Sequence, residues 1–206
     1  MESRDTYREL TVVPRAALRL PLVLETPERF EVHDPESWPA VEGRLEFVGG
    51  RIEYMPPCDG DQQRTTADVL GVLSSWRRTH PSFVVGGNEA GMLLEGEVRA
   101  ADAAVWRRAD VEAGSAFPRR APILAIEVAG RDDDMSYLAE KAKWYLSRGV
   151  TVVWLLDPTQ REVRVVTRDA TCELGRGDRI PAHPELPELT PDVSDLFAQV
   201  DELTGP

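Results

Sequence analysis

The stretch from residue 123 to residue 158 constrains the fold of this chain most strongly, because it is typical of a strand, a helix and a second strand. Residues 123–128 form a short apolar run of the kind found in strands that are buried on both faces. Residues 151–156 form a second such run, which the turn signal Asp157-Pro158 ends. Two apolar strands joined by a helix predict a crossover connection and a parallel strand pair. The stretch therefore predicts an α/β fold.

The helix expected over residues 135–148 carries a lysine on the side that faces the core. Leu138, Ala142 and Tyr145 recur at three- and four-residue steps, and Lys141 lies within the stripe that they form. A cation on such a stripe is unusual, because burying a charge costs free energy unless the charge is paired. Lys141 therefore needs a partner of opposite charge.

Signals at both ends predict the bounds of this helix. Asp132, Asp133 and Asp134 precede it, where carboxylates cap free amides and favour the positive end of the helix dipole. Gly149 follows it, at the position where a left-handed residue most often ends a helix.

Two acids placed in apolar strands are a second anomaly. Glu127 interrupts the run at 123–128, and Asp102 is the single acid in another apolar run, residues 100–106. Two carboxylates on separate strands and a nearby lysine are the groups that metal-assisted phosphodiester hydrolysis uses, since Mg²⁺ is held by one or two carboxylates and water. The alternative is a buried structural ion pair, in which Lys141 pairs with Glu127 or with Asp102.

The rest of the chain predicts further strands and helices around this unit. Residues 44–48 and 51–55 form a hairpin, with Gly49-Gly50 in its two-residue turn. The other expected elements are a helix over 61–79, strands at 83–85 and 92–94 around a turn at Gly86-Gly87-Asn88, a loop over 107–121, a strand at 162–167 and a short helix near 193–200. Residues 1–42, rich in proline and charge, predict an irregular amino-terminal extension. Glu89 either ends its strand or joins a metal site from it.

Length and composition favour a single domain. The 206 residues, 42% of them hydrophobic, suffice for one sizeable core, which is expected over about residues 43–200. No stretch is long and apolar enough to span a bilayer and the amino terminus lacks a signal-peptide core, so a cytoplasmic location is expected. Cys58 and Cys172 predict reduced thiols, because two cysteines are too few for a disulfide framework.

The net charge of −12 limits the ways in which this chain can contact a nucleic acid. A protein that binds polyphosphate through a broad surface is usually basic, and this one is not. Contact would need local basic patches, a metal ion at the contact, or a transient encounter.

The order of these features resembles the Uma-two type of restriction endonuclease, a branch of the PD-(D/E)XK nuclease superfamily. The resemblance covers roughly residues 40–200 and includes the hairpin, the first helix, Asp102 on one strand and Glu127 on the next. Its most specific part is the segment 127–158. The resemblance implies a restriction-endonuclease-like core, with a central mixed sheet flanked by helices.

The resemblance also implies a role for four residues. Asp102 matches the aspartate of the family motif, Glu127 matches its acidic residue, and Lys141 matches a lysine that has moved from the strand to the following helix. Glu46 matches a further acid near the site. The implied activity is that of an Mg²⁺-dependent or Mn²⁺-dependent endodeoxyribonuclease, in which Asp102 and Glu127 hold the metal, Lys141 positions the water and Glu46 assists. The implied partners are DNA, in transient contact, and a second copy of the chain in a homodimer.

Two other functions stay open at this point. The chain departs from the family pattern at Ala101, at residues 129–131 and at Gln62, where proline, a Ser-Pro segment and a histidine are usual. These changes and the acidic composition suit a catalytically inactive binding or assembly module. A metal-dependent hydrolase of a small phosphoester is the third possibility, and it also agrees with the negative charge.

Overall fold

The fold was analysed on a computed structural model, which describes residues 20–131, 133 and 135–204, apart from the side chains of Asn88 and Thr204. Residues 1–19 of the expected amino-terminal extension, and Asp132 and Asp134 of the expected capping run, lie outside the described residues. The described part is an α/β fold in which one mixed nine-stranded sheet is flanked by three α-helices, as predicted.

The nine strands belong to a single sheet. Their bounds are β1 Leu22–Leu24, β2 Arg44–Val48, β3 Arg51–Met55, β4 Phe83–Leu94, β5 Glu97–Arg107, β6 Leu124–Val128, β7 Val152–Asp157, β8 Glu162–Val166 and β9 Thr171–Leu174. The strand order is β1-β3-β2-β5-β6-β7-β8-β9, and β4 pairs with β5 outside this path. The β2–β3 hairpin turns through Gly49 and Gly50, which both have positive φ, as predicted for a two-residue turn.

Three α-helices accompany the sheet. Their bounds are α1 Gly60–Thr79, α2 Met135–Ser147 and α3 Ala198–Thr204, and short 3₁₀ turns occupy Pro35–Ser37, Arg108–Asp110 and Val193–Leu196. The predicted first two helices are confirmed, and the short helix expected near 193–200 is a 3₁₀ turn followed by α3. No helix in the described ranges is both long and apolar enough to cross a membrane.

The unit β6-α2-β7 is the strand-helix-strand predicted from residues 123–158. Strands β6 and β7 pair in parallel, with Glu127 beside Leu155. Gly149 follows α2 with φ +95°, the left-handed conformation expected at a helix end. Asp133 Oδ2 accepts the N–H of Gly130 at 2.7 Å and closes a local turn ahead of α2.

The two faces of the sheet carry separate apolar cores. Val69, Leu73 and Trp76 of α1 pack with Ile126 and other residues on one face, while Leu138, Ala142 and Tyr145 of α2 pack on the other. Side chains alternate between faces along a strand. Glu127 therefore shares the α2 face with Ala125, and Asp102 shares it with Ala104. This alternation directs both acids toward the helix that carries Lys141.

The turn expected at Gly86-Gly87-Asn88 is absent from the described chain, because β4 runs through this segment as one strand. Its pairing with β5 shifts register between Gly87 and Ala90, which is a β-bulge. The glycines serve close packing: a Cβ on Gly87 would lie 2.5 Å from Cδ2 of Leu70. The real turn lies between β4 and β5, at Glu95 and Gly96, where both residues have positive φ.

Candidate active site

The four residues predicted from the sequence to form the site lie together in one buried cluster. Glu46 comes from β2, Asp102 from β5, Glu127 from β6 and Lys141 from α2. Their exposed fractions are 0%, 8%, 2% and 1% respectively, so all four charges are removed from bulk water. Their roles in catalysis and in metal binding stay predictions.

Glu127 is held at both carboxylate oxygens. Lys141 Nζ donates to Glu127 Oε2 at 2.7 Å, and the hydroxyl of Tyr145 donates to Glu127 Oε1 at 2.6 Å. Burial lowers the pKa of Lys141, but the carboxylates of Glu127 and Glu46 outweigh burial and raise it. Burial, followed by the negative charge of Glu127, raises the pKa of Tyr145. Both donors therefore keep their protons at neutral pH.

Glu46 joins two cations and a backbone amide. Arg99 Nη1 lies 2.6 Å from Glu46 Oε2, Lys141 Nζ lies 3.4 Å from Glu46 Oε1, and the N–H of Ala100 donates to Oε1 at 3.3 Å. Burial raises the pKa of Glu46, but Lys141 and Arg99 outweigh burial and lower it. Glu46 is therefore ionised and is the second carboxylate that contacts Lys141.

Asp102 has a more distant cation than Glu46 and Glu127 have. Its Oδ2 accepts the N–H of Val128 at 2.7 Å, and its Oδ1 lies 3.3 Å from Arg44 Nη1. Burial, and then the nearby Glu127 carboxylate, raise the pKa of Asp102 to about 6, against the opposing effect of Arg44. The hydrogen bond to Val128 brings the Asp102 carboxylate next to the backbone that follows Glu127.

The arginines of the cluster were missed by sequence analysis. Arg44 and Arg99 bring the buried cations to three, which match the three buried carboxylates in formal charge. One signal was available for Arg44, because residues two apart on a strand share a face and Arg44 precedes Glu46 by two. For Arg99 no such signal existed, since its contact with Glu46 depends on the register of β2 against β5.

A cleft of about 480 Å³ opens beside the cluster. Asp102 and Arg44 line it, together with residues of α1 and with Gly130, Arg131 and Asp133. Glu89, whose φ is +64°, also lines the cleft from the β4 bulge, which lies opposite Asp102 in the pairing of β4 with β5. The cleft is therefore the route by which a ligand can reach Asp102.

The donor set suits a hard divalent cation with few protein ligands. Within residues 20–131, 133 and 135–204, no three His, Cys, Asp or Glu side chains form a group that could hold a metal ion. Mg²⁺ does not need such a group, because it commonly takes one or two carboxylates and keeps several waters. Asp102 and Glu127 supply two carboxylates, each with spare lone pairs beyond the hydrogen bonds already described. The residues present therefore fit Mg²⁺ or Mn²⁺.

Gln62 of α1 supports the backbone between the two acids. It is 8% exposed, and its Nε2 donates to the carbonyl oxygen of Val128 at 3.0 Å. The same peptide segment donates its N–H to Asp102. In the sequence, Gln62 only departs from the family pattern, in which a histidine is usual at this position. In the structure, its hydrogen bond holds the end of β6.

Replacing Gln62 by leucine is expected to lower the free energy of unfolding by about 1–3 kcal/mol, because the buried Val128 carbonyl loses its donor. Urea unfolding followed by circular dichroism measures the change. The matched control is Gln63→Leu at the next position, where the exposed Nε2 donates to the Cys58 carbonyl and where a loss below about 0.5 kcal/mol is expected. Equal losses in the two variants would contradict this role of Gln62.

Comparison with known proteins gave a family match and a solved structure with the same fold. The family model "Uma2: Putative restriction endonuclease" matches residues 32–196. A crystal structure described as a "putative nuclease belonging to DUF820", from Anabaena variabilis, aligns with a TM-score of 0.71 and 20% identity, over 81% of this chain and 96% of that chain. At this identity the structural match shows a shared fold. No curated protein matches the chain significantly.

Proposed function

Because the chain belongs to the Uma2 family, described as "Putative restriction endonuclease", we propose that it is an Mg²⁺-dependent endodeoxyribonuclease that hydrolyses phosphodiester bonds in DNA. The convergence of Asp102, Glu127 and Lys141 in one buried cluster, beside an open cleft, is the observation that carries this proposal. Three charged groups from separate elements share a low-dielectric setting there, where each electrostatic interaction is stronger than in water.

Asp102 and Glu127 are the residues that would hold the metal. A bound Mg²⁺ supplies Lewis-acid polarisation of a phosphoryl oxygen and lowers the pKa of a bound water. Lys141 positions the water as a hydrogen-bond donor and a positive charge and does not act as a general base, because its raised pKa keeps it protonated. Glu46 acts through Lys141, which it contacts at 3.4 Å, and is therefore a positioning residue.

Incubation of the purified protein with DNA in several forms tests this proposal. Supercoiled, linear and single-stranded DNA, and a matched RNA, are incubated with Mg²⁺ or Mn²⁺, and a chelator serves as the control. We expect metal-dependent cleavage of at least one DNA form. Absence of cleavage of every DNA form would contradict the proposal, and cleavage of RNA alone would redirect it to ribonucleic acid.

Metal affinity is expected to weaken below about pH 6, because Asp102 must lose its proton before it can bind a cation. The ionised fraction of a carboxyl falls about tenfold for each pH unit below its pKa. Calorimetric titration with Mn²⁺ should therefore give an affinity about tenfold weaker at pH 5 than at pH 8. A constant affinity over this range would show that Asp102 is not a metal ligand.

A non-catalytic binding or assembly module is the second candidate. The observation that favours it is the charge balance of the cluster, in which every buried carboxylate already has a cation within 3.3 Å or less. Such a cluster can be a structural ion-pair network and need no metal. Calorimetry separates the two functions: saturable Mg²⁺ binding that Glu127→Ala abolishes favours the nuclease, and no binding favours the module.

The partners that accompany the proposed activity are DNA and a second copy of the chain, in the cytoplasm. The net charge of −12 favours a transient complex with DNA over a tight one, because the protein and the phosphate backbone repel each other. Sedimentation equilibrium of the purified protein tests the homodimer, and a monomer at micromolar concentration would contradict it.

A further inference from the structure

Arg44 differs from the other two cations of the cluster in its position. Among the described residues that line the cleft, it is the one cation that also belongs to the buried cluster, since Arg99 and Lys141 do not line the cleft. It contacts Asp102, which is the cluster acid that lines the same cleft. Arg44 therefore lies between the buried charges and any ligand that enters.

The shortest ion-pair contact of Arg44 is also longer than those of the other two cations. Its contact with Asp102 is 3.3 Å, whereas Arg99 contacts Glu46 at 2.6 Å and Lys141 contacts Glu127 at 2.7 Å. Its Nη1 also donates to the Ala100 carbonyl at 3.4 Å. Its Nε is buried and, like the Nε of Arg99, makes no hydrogen bond within the described part of the chain, and it lies 3.9 Å from Glu46. Buried donors are nearly always satisfied, so a guanidinium with a free Nε–H has hydrogen-bonding capacity that these contacts do not use.

We propose that Arg44 is an exchangeable counter-cation of Asp102, which releases that carboxylate to a divalent cation and then binds a phosphodiester anion of the substrate in the cleft. This inference rests on the proposed nuclease function. The three acids and three cations of the cluster cancel in formal charge, so a bound divalent cation leaves an excess of two positive charges. The excess repels the nearest cation and attracts an anion. A guanidinium suits this task, because its planar N–H groups match phosphate oxygens in pairs.

The first test measures how metal affinity changes when Arg44 is replaced. An increase supports the inference, and a decrease contradicts it. Arg44→Gln removes a positive charge that competes for Asp102, so calorimetric titration should show Mn²⁺ affinity rising about tenfold or more. If Arg44 instead only holds Asp102 in place, its loss lowers the affinity. The control is Arg168→Gln, in the exposed β8–β9 connection, which changes the net charge equally and should leave the affinity within about twofold.

Anion binding is measured with a short DNA duplex by fluorescence anisotropy in saturating Ca²⁺, and gel analysis confirms that the DNA is intact. Arg44→Gln should weaken DNA binding about tenfold or more, and Arg168→Gln by less than about threefold. Arg44→Lys keeps the positive charge, so the formal charges of the cluster still cancel. This second variant keeps the test decisive if Arg44→Gln does not fold. It should leave Mn²⁺ affinity within about threefold and still weaken DNA binding, because lysine lacks the planar pair of donors.

The outcomes distinguish this inference from the function on which it rests. If the wild-type protein binds no Mn²⁺, the nuclease proposal fails and the inference fails with it. If the wild-type protein binds Mn²⁺ and Arg44→Gln binds it equally or more weakly, Arg44 is a structural partner of Asp102, and only the inference is overturned. Unchanged DNA binding by both Arg44 variants would overturn it as well.

Discussion

Replacing Lys141 by methionine is expected to lower the free energy of unfolding by about 3–5 kcal/mol. Methionine has nearly the length of lysine and fits an apolar stripe, so a cavity does not explain such a loss. The loss arises because Glu127 at 2.7 Å and Glu46 at 3.4 Å both lose a cation while they stay buried. Removing one partner of a buried ion pair leaves an uncompensated charge in a medium of low dielectric constant.

A matched control lies two residues away on the same helix. Lys143 Nζ contacts Glu140 at 2.6 Å, which is as short as the buried pair, but both side chains are more than two-thirds exposed. Water screens this pair, so Lys143→Met should lower the free energy of unfolding by less than about 1 kcal/mol. Urea unfolding at pH 8 compares the two variants. Losses of equal size would mean that the Lys141 pair does not contribute through burial.

Much of the fold could be predicted because local pattern and long-range structure agree in this chain. The apolar runs around Glu127 and Trp154 are fully buried strands, and the period of α2 follows Leu138, Ala142 and Tyr145. The bulge in β4 could not be predicted in the same way. Its glycines look like a turn in the sequence, but their small size is required by contacts with Leu70 and Trp106, which are distant along the chain.

The acids of the candidate site could be found because they violate the pattern of their surroundings. Glu127 and Lys141 are charges in positions that should be apolar, and the structure pairs them at 2.7 Å. The structural ion pair considered from the sequence is therefore present as a contact, and a metal-binding role for Glu127 has to coexist with it. Arg99 gave no such signal, because the sequence does not reveal which strand will lie beside β5. The pattern of apolar residues within a strand can identify a buried charge. Its partner can be identified only when the order of the strands in the sheet is known.

Replacing Asp102 by asparagine is expected to slow DNA cleavage about a thousandfold or more, while the fold stays intact. Asparagine has the shape of aspartate and can still accept the N–H of Val128, but it lacks the negative charge that holds a cation. Its amide nitrogen cannot replace the carboxylate oxygen that Arg44 contacts at 3.3 Å. Single-turnover cleavage at saturating Mg²⁺ measures the change in rate.

The stability of this variant is expected to change little at pH 8, which distinguishes it from Lys141→Met. The folded pKa of Asp102, about 6, lies above its usual value of 3.8. A raised pKa means that this carboxyl stabilises the fold in its protonated form, and that the contribution is lost as the pH rises through about 6. The neutral asparagine therefore removes a charge that the fold disfavours. The control is Asp157→Asn, because Asp157 accepts hydrogen bonds from Thr159 in the turn after β7 and should keep activity within about threefold. Full cleavage by Asp102→Asn would show that hydrolysis does not depend on this carboxylate.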